Sequence, residues 1–223
     1  MKIHSKISVV IPTLNAAETL PATMAALDAS DEIVVADAGS EDGTAAVAQN
    51  AGARVVLARR GRGSQLAAGI AAASEEWLLL LHADTRLEES WREAASAHMS
   101  EYPDKAAYFR FVLDSTDPRA RGLERLVAWR CRIFALPYGD QGLLTHRDTL
   151  RQVGGMRALP LMEDVDLVRR IGRSRLIGLP AGAVTSAAKW ERDGWYRRSC
   201  RNLICLSLWH AGVPPSRIAR IYG

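Results

Sequence analysis

The chain has 223 residues, of which 48% are hydrophobic and 24% are charged, a composition typical of a folded domain with its own core. No run reaches the roughly 20 apolar residues that span a bilayer, and residues 1–6 are too short and polar for a secretory signal. The three cysteines lack the spacing of a metal site or a disulfide framework. We therefore expect a cytoplasmic protein without a membrane-spanning helix.

Positive charge is concentrated at the C-terminus. The net charge is +4, but residues 189–223 contain seven basic and two acidic residues, so residues 1–188 carry −1. A basic tail on a nearly neutral body does not predict a general affinity for nucleic acid. We expect no nucleic-acid partner.

Strand and helix patterns alternate along the first part of the chain. The predicted strands are residues 7–11, 32–36, 54–57 and 77–81. The predicted helices are residues 16–27, 42–51 and 64–73. Asn15 and Glu18 have the spacing of a capping box at the start of the first helix. Apolar strands between helices predict an α/β fold with a doubly wound, mostly parallel sheet.

The pattern is looser after Asp84. The further predicted helices are residues 88–99, 122–134, 147–153 and 165–171. The further predicted strands are residues 106–113, 142–145 and 176–179. With no internal repeat or low-complexity linker, we expect one domain over residues 1–188 and a helical C-terminal extension over residues 189–223.

Polar residues follow each of the first four predicted strands. They are PTLN at 12–15, Asp37, the basic segment 59–65 and HAD at 82–84. The carboxyl ends of parallel strands share one edge, where open α/β sheets bind ligands. A dinucleotide site is not indicated, because the first strand lacks the glycine fingerprint and Leu66 replaces the third glycine after Gly61 and Gly63.

Four motifs, in this order along the chain, resemble those of glycosyltransferase family 2. They are SVVIPTLN at residues 8–15, DAGSEDGT at 37–44, the acidic motif around Asp84, and the pair at 163–164. The resemblance implies the type A glycosyltransferase fold and an inverting transfer from a nucleoside-diphosphate sugar, such as a UDP- or GDP-sugar. It is most similar to a small bacterial branch with a His-Ala-Asp-Thr motif.

The resemblance also implies site residues. Those expected to bind the nucleotide sugar are Pro12, Thr13, Asn15, Asp37, Gly39, Arg62, Gln65, His82, Ala83, Asp84, Asp140 and Gln141. Asp37 would contact the nucleoside, since a carboxylate accepts hydrogen bonds from uracil or ribose; alternatively it caps a turn. Asp140 and Gln141 would contact the sugar, and Arg62 the diphosphate. A plain turn and a solvated basic loop are the respective alternatives.

Asp84 is the predicted metal ligand. A carboxylate and two phosphates can hold Mg²⁺ or Mn²⁺, which offsets the charge of the leaving diphosphate. The family motif is usually Asp-x-Asp, and here His82 replaces the first Asp. His82 would donate to a ribose hydroxyl or a phosphate, or would simply fill the strand end.

Asp164 is the predicted catalytic base. Inversion requires a group opposite the leaving group that takes the acceptor proton, and the resemblance assigns this role to the Asp of the 163–164 pair. The alternative is that acidic residues here only favour a helix N-terminus. That alternative has most weight for Glu163 and Asp166.

The tail combines basic and aromatic residues with an apolar run at 203–209. Such a segment suits contact with the inner face of the cell membrane, and then a lipid or polyprenyl phosphate acceptor. Alternatively it packs on the domain or on a second copy of the chain, or Lys189 or Arg192 closes over the donor diphosphate. A nucleotidyltransferase of similar fold and a non-catalytic nucleotide-sugar-binding scaffold remain the alternative functions.

Overall fold

The computed structural model describes residues 6–222, so most of the segment considered for a secretory signal lies outside the described residues. The strands are β1 (Ile7–Thr13), β2 (Glu32–Asp37), β3 (Arg54–Leu57), β4 (Trp77–Leu80), β5 (Thr85–Leu87), β6 (Ala106–Asp114), β7 (Leu143–His146) and β8 (Leu176–Ser186). The helices are α1 (Leu20–Ala25), α2 (Thr44–Asn50), α3 (Arg62–Ala72), α4 (Trp91–Glu101), α5 (Pro118–Phe134), α6 (Arg147–Gln152), α7 (Glu163–Ile171), α8 (Ala188–Asp193), α9 (Trp195–His210) and α10 (Pro215–Tyr222).

All eight strands form one sheet in the order β3-β2-β1-β4-β7-β6-β8-β5. The first four are parallel to one another. β7 runs antiparallel to both β4 and β6, β6 is parallel to β8, and β5 closes the edge antiparallel to β8. The α/β class, the mostly parallel sheet and the helical C-terminal extension are confirmed.

Helices cover both faces of the sheet because neighbouring strand residues point to opposite sides. Val9 and Ile11 of β1 belong to one apolar core, which also contains residues of α1, α2 and α4. Val10 belongs to a second core with residues of α3 and α7. All seven residues of β1 are buried, which explains why its sequence is mostly apolar.

Two local predictions are wrong. Asn15 has φ of +51°, and its side chain accepts a hydrogen bond from the Glu41 amide, so it does not cap the first helix. That helix begins only at Leu20. The sequence also missed β5 and most of β8, because their short or small-residue segments gain strand structure by pairing with each other.

The tail packs on the domain. Cys205 of α9 and Ile218 of α10 are fully buried together with Leu161, which favours the packing interpretation for this face of the tail. The opposite side of α9 stays open, since Leu203 is 63% and Ile204 53% exposed. Over residues 6–222, no helix combines the length and apolar character required to cross a membrane.

Candidate active site

A pocket of about 110 Å³ lies at the carboxyl edge of the sheet. Five predicted site residues line it: Arg62, His82, Asp84, Asp140 and Asp164. The tail contributes further lining residues, namely Lys189, Trp190, Arg198, Asn202, Cys205 and Tyr222. The C-terminal extension is therefore part of the pocket wall, which the sequence indicated only through Lys189.

The loops after β1 and β2 lie outside this pocket wall and are joined to each other. Asp37 is buried and accepts hydrogen bonds from the Thr13 hydroxyl (2.8 Å), the Gly39 amide (2.9 Å) and both the amide (2.8 Å) and hydroxyl (2.5 Å) of Ser40. Burial alone would raise the pKa of Asp37, but these donors outweigh it and hold the pKa below its ordinary value.

Asn15 completes this connection from the β1 side. The backbone N–H of Asn15 donates to the Ser40 hydroxyl (2.8 Å), and its side-chain oxygen accepts from the backbone N–H of Glu41 (3.0 Å). Gly39 has φ of +82°, a left-handed backbone conformation that residues with a side chain rarely adopt. Pro12 is buried in β1. The two loops thus form a rigid platform, and a direct nucleoside contact by these residues stays a prediction.

Two predicted ligand-binding amides face the interior instead. Gln65 donates to the carbonyls of Thr13 (2.7 Å) and Ala36 (3.1 Å), which ties the ends of β1 and β2 together. Gln141 donates to the Phe109 carbonyl (3.0 Å), and its oxygen accepts from the Tyr138 amide (3.2 Å). Both are buried and neither lines the pocket. These hydrogen bonds hold the neighbouring strands and turn in place, and a contact of either residue with the nucleotide sugar stays a prediction.

Ala83 is also placed away from the pocket wall. Its carbonyl accepts a hydrogen bond from the Thr23 hydroxyl at 2.9 Å, which fixes the β4 loop against α1. The loop that carries His82 and Asp84 is thereby held from behind.

His82 pairs with an arginine. Arg62 Nη1 lies 3.3 Å from His82 Nε2, and Arg62 Nε lies 2.8 Å from Glu163 Oε1. Burial and the Arg62 charge lower the pKa of His82 to about 4, so the ring is neutral near pH 7. A neutral ring facing a guanidinium accepts at Nε2, and its proton is therefore on Nδ1.

Glu163 is more than a favourable helix-terminal acid. It is 1% exposed, and among residues 6–222 its Oε2 has no hydrogen-bond partner. Burial raises the pKa of Glu163 to about 7, although Arg62 opposes this. The Arg62–Glu163 pair joins α3 to α7, and no local sequence signal indicates it.

Asp84 is paired with the tail. Its Oδ2 accepts from Lys189 Nζ at 2.9 Å, and its side chain is 15% exposed. Burial alone would raise the pKa of Asp84, but Lys189 and His82 lower it below its ordinary value. In the described part of the chain, no three His, Cys, Asp or Glu side chains form a metal-binding group.

Asp164 is held at the start of α7. Its Oδ2 accepts from the Gly139 amide (2.8 Å) and its Oδ1 from the Val165 amide (2.7 Å). Met162, just before the helix, has φ of +65°, an uncommon value for a residue with a side chain. A Cβ on Gly139 would lie 2.5 Å from His82 Nε2, so only glycine lets the 3₁₀ turn Gly139–Gln141 approach the β4 loop.

The family model of glycosyl transferase family 2 matches residues 8–160. The chain belongs to glycosyltransferase family 2. Its relatives include an uncharacterized glycosyltransferase of Mycobacterium tuberculosis, 41% identical over 83 residues. A TPR repeat-containing protein of Synechococcus elongatus is 36% identical over 96 residues. These matches cover 37% and 41% of this chain but only 38% and 24% of the relatives.

Solved structures of two sugar-transferring synthases share the fold. Glucosyl-3-phosphoglycerate synthase of Mycobacterium tuberculosis, in complex with Mn²⁺ and UDP-glucose, superposes with a TM-score of 0.64 at 20% identity, over 94% of this chain and 80% of that one. Mannosyl-3-phosphoglycerate synthase of Rubrobacter xylanophilus gives a TM-score of 0.60 at 19% identity, over 94% and 76%. At these identities the likeness shows the type A fold.

Proposed function

We propose that the chain is an inverting glycosyltransferase that moves a sugar from a nucleoside-diphosphate donor to a hydroxyl acceptor. The observation that carries the proposal is the pocket that joins Asp84 and Asp164 with the cations Arg62 and Lys189. In a family 2 chain, this set supplies both a charged site for a diphosphate and a carboxylate for the acceptor proton.

The donor nucleoside lies, in this proposal, against the platform formed by the loops after β1 and β2. The Asp37 carboxylate shapes this platform by orienting the amides of Gly39 and Ser40. The solved synthase with UDP-glucose supports a UDP-sugar as the first donor to test. The diphosphate would reach Arg62 and Lys189, whose charges suit phosphate oxygens.

A divalent cation, Mg²⁺ or Mn²⁺, would be held by Asp84. The donor set fits a cation bound mainly by substrate phosphates, since Mg²⁺ typically uses one or two carboxylates and completes its shell with phosphates and water. When bound, such a cation offsets the negative charge of the leaving diphosphate. Because Lys189 already pairs with Asp84, we expect only weak cation binding without nucleotide.

Asp164 takes the acceptor proton in this scheme. The acceptor oxygen attacks the anomeric carbon, the bond from that carbon to the diphosphate oxygen breaks, and the acceptor proton goes to Asp164. The two amides that donate to Asp164 keep the carboxylate fixed for this step. The neutral ring of His82 and the carboxyl group of Glu163 both contact Arg62 and position it beside the leaving group.

Location and domain roles follow as proposals. Residues 1–188 would form the catalytic region, and residues 189–223 an extension that completes the pocket through Lys189. We place the protein in the cytoplasm, where the exposed apolar face and basic charge of the tail favour contact with the inner face of the membrane.

A donor-hydrolysis screen tests the proposed function. It measures nucleoside diphosphate released from UDP-, GDP- and dTDP-sugars, with and without Mn²⁺, by wild type, Asp84→Ala and Asp114→Ala. Asp114 is a matched control, because it forms a 2.8 Å ion pair with Arg86 on the surface. Metal-dependent release that only Asp84→Ala loses is the expected result. Absence of release and of nucleotide binding with every donor would contradict the proposal.

A further inference from the structure

An apolar groove lies between helices α5 and α9. Its volume is about 550 Å³, within the range of about 300–1,000 Å³ that is usual for small-molecule sites. Its apolar lining includes Leu123, Leu126, Trp129, Phe134, Leu203 and Leu206. Four of these side chains are strongly exposed: Leu126 at 56%, Trp129 at 53%, Phe134 at 54% and Leu203 at 63%. Contiguous exposed apolar surface of this kind marks a binding site.

The groove adjoins the candidate active site. Tyr138, Asp140, Trp190 and Asn202 line both the groove and the pocket that contains Asp164. We call these four residues the junction. The junction therefore places the groove next to the pocket that holds the proposed catalytic base.

The junction contains buried polar atoms without partners. Within the described chain, Asp140 Oδ1, Trp190 Nε1 and Asn202 Oδ1 have no hydrogen-bond partner. Buried polar atoms are nearly always paired, and each exception requires an explanation. Two acceptors and one donor on residues that line the same cavity match hydroxyl groups, which both donate and accept.

The charge of the junction selects the type of head group. Burial raises the pKa of Asp140 to about 6, with Arg130 opposing, so the carboxyl group is mostly ionised near pH 7. Although Arg130 also lines the groove, the unpaired oxygens of Asp140 and Asn202 are acceptors, to which a hydroxyl head can donate and an ionised phosphate cannot. A hydroxyl, unlike a phosphate, also needs a base such as Asp164 to take its proton.

We propose that the groove and the junction form the acceptor site for a neutral amphipathic alcohol. This proposal rests on the proposed function. The apolar chain of the acceptor lies between α5 and α9, and its hydroxyl-bearing head lies at the junction, facing Asp164. The phosphoglycerate acceptor of the solved synthase is small and charged, and we infer that this chain takes a different acceptor class.

Binding of n-alkyl β-D-glucosides tests the proposal. Glucosides from butyl to octyl are titrated below their critical micelle concentrations, by calorimetry and by intrinsic tryptophan fluorescence, to which Trp129 and Trp190 of the groove contribute. Burial of one methylene group increases affinity roughly fourfold at most. We therefore expect the dissociation constant to fall about two- to fourfold per added methylene. Equal affinity at every alkyl chain length would contradict the proposal that the groove binds the alkyl chain.

Matched variants distinguish the contribution of the ligand's alkyl chain to binding from that of its head group. Leu203→Ser should flatten the dependence on chain length and weaken octyl glucoside about tenfold, whereas Ile204→Ser, its equally exposed neighbour outside the groove, should change nothing. Trp190→Phe keeps the ring and removes the N–H, so it should weaken all glucosides by the same factor. Equal loss in Leu203→Ser and Ile204→Ser would indicate a non-specific surface contact and would contradict the proposal.

UDP binding to the same wild-type protein distinguishes the two proposals. If UDP binds but glucosides show no dependence on chain length, the acceptor inference fails and the proposed function stands. If glucosides bind with that dependence but no nucleotide binds, the proposed function fails, and with it the role of the groove as an acceptor site.

Discussion

The nucleoside platform and the junction differ in how far the protein itself satisfies the hydrogen-bonding capacity of their carboxylates. At the nucleoside platform, Asp37 accepts four hydrogen bonds from its own chain. At the junction, Asp140 Oδ1 is buried and has no partner among residues 6–222. The pKa values respond in opposite directions, below the ordinary value for Asp37 and up to about 6 for Asp140.

This difference separates a surface that is complete before the substrate binds from one that the substrate completes. The platform presents fixed backbone amides, so little further ordering is required when the donor binds. The junction leaves hydrogen-bonding capacity unused at a cost in stability, and a hydroxyl ligand recovers that cost. The predictions below test this contrast, starting with the largest expected effect.

Replacing Asp164 by Asn should lower donor turnover about 10²–10⁴-fold, the usual contribution of general base catalysis. UDP affinity should stay within about twofold, because Asp164 would act on the acceptor side. Steady-state kinetics and calorimetric titration of UDP measure the two effects. A variant that retains more than a tenth of wild-type turnover would remove Asp164 from the proposed role.

Replacing Gly139 by Ala should lower turnover by about 10²-fold, since small displacements of catalytic groups have effects of this size. The new methyl group would meet His82 Nε2 at 2.5 Å and separate the amide of residue 139 from Asp164. Gly122→Ala is the control, because a Cβ there contacts nothing within 4 Å. Unchanged kinetics for Gly139→Ala would show that this close approach is unimportant.

Replacing Asp37 by Asn should lower the free energy of unfolding by about 2–4 kcal/mol near pH 7, because the charged acceptor of four hydrogen bonds is lost. A carboxyl group with a lowered pKa stabilises the fold above its unfolded pKa, and this stabilisation is lost as the pH falls. The deficit of the variant should therefore shrink below pH 4. Denaturant titrations measure it, with Asp114→Asn as the control within about 0.5 kcal/mol.

Replacing Asp140 by Asn should raise the free energy of unfolding near neutral pH, the opposite of the effect at Asp37. The pKa of Asp140 is raised to about 6, so this group stabilises the folded state at low pH, and the stabilisation is lost between about pH 4 and pH 6. We expect the variant to match wild type at pH 4 and to exceed it by up to about 3 kcal/mol at pH 8. A less stable variant at pH 8 would mean that Arg130 makes the ionised form favourable.

Local patterns in the sequence predict the fold well. The apolar runs around Val9, Val34 and Leu79 indicate buried parallel strands, and the polar residues after them lie at the carboxyl edge. Asp84 and Asp164 come together in one pocket as their positions after strand and before helix suggest. What fails locally is Asn15, because contacts with the next loop determine its backbone conformation.

Pairings between distant residues could not be predicted. Lys189 contacts Asp84 across 105 positions, and the Arg62–Glu163 pair joins two helices that lie far apart in the sequence. The sequence also gives no sign that the side chains of Gln65 and Gln141 donate to the backbone carbonyls of Thr13 and Phe109. The junction likewise exists only because α8 and α9 bring Trp190 and Asn202 to the same cavity as Tyr138 and Asp140.

The anomeric configuration of the released sugar tests the central claim most directly. Proton NMR would follow an α-linked UDP-sugar during turnover by wild type and Asp164→Asn. We expect wild type to release UDP and to form the β-anomer first, and the variant to give neither product at a comparable rate. Release of the α-anomer first, or equal turnover by the two proteins, would contradict an inverting transfer in which Asp164 is the base.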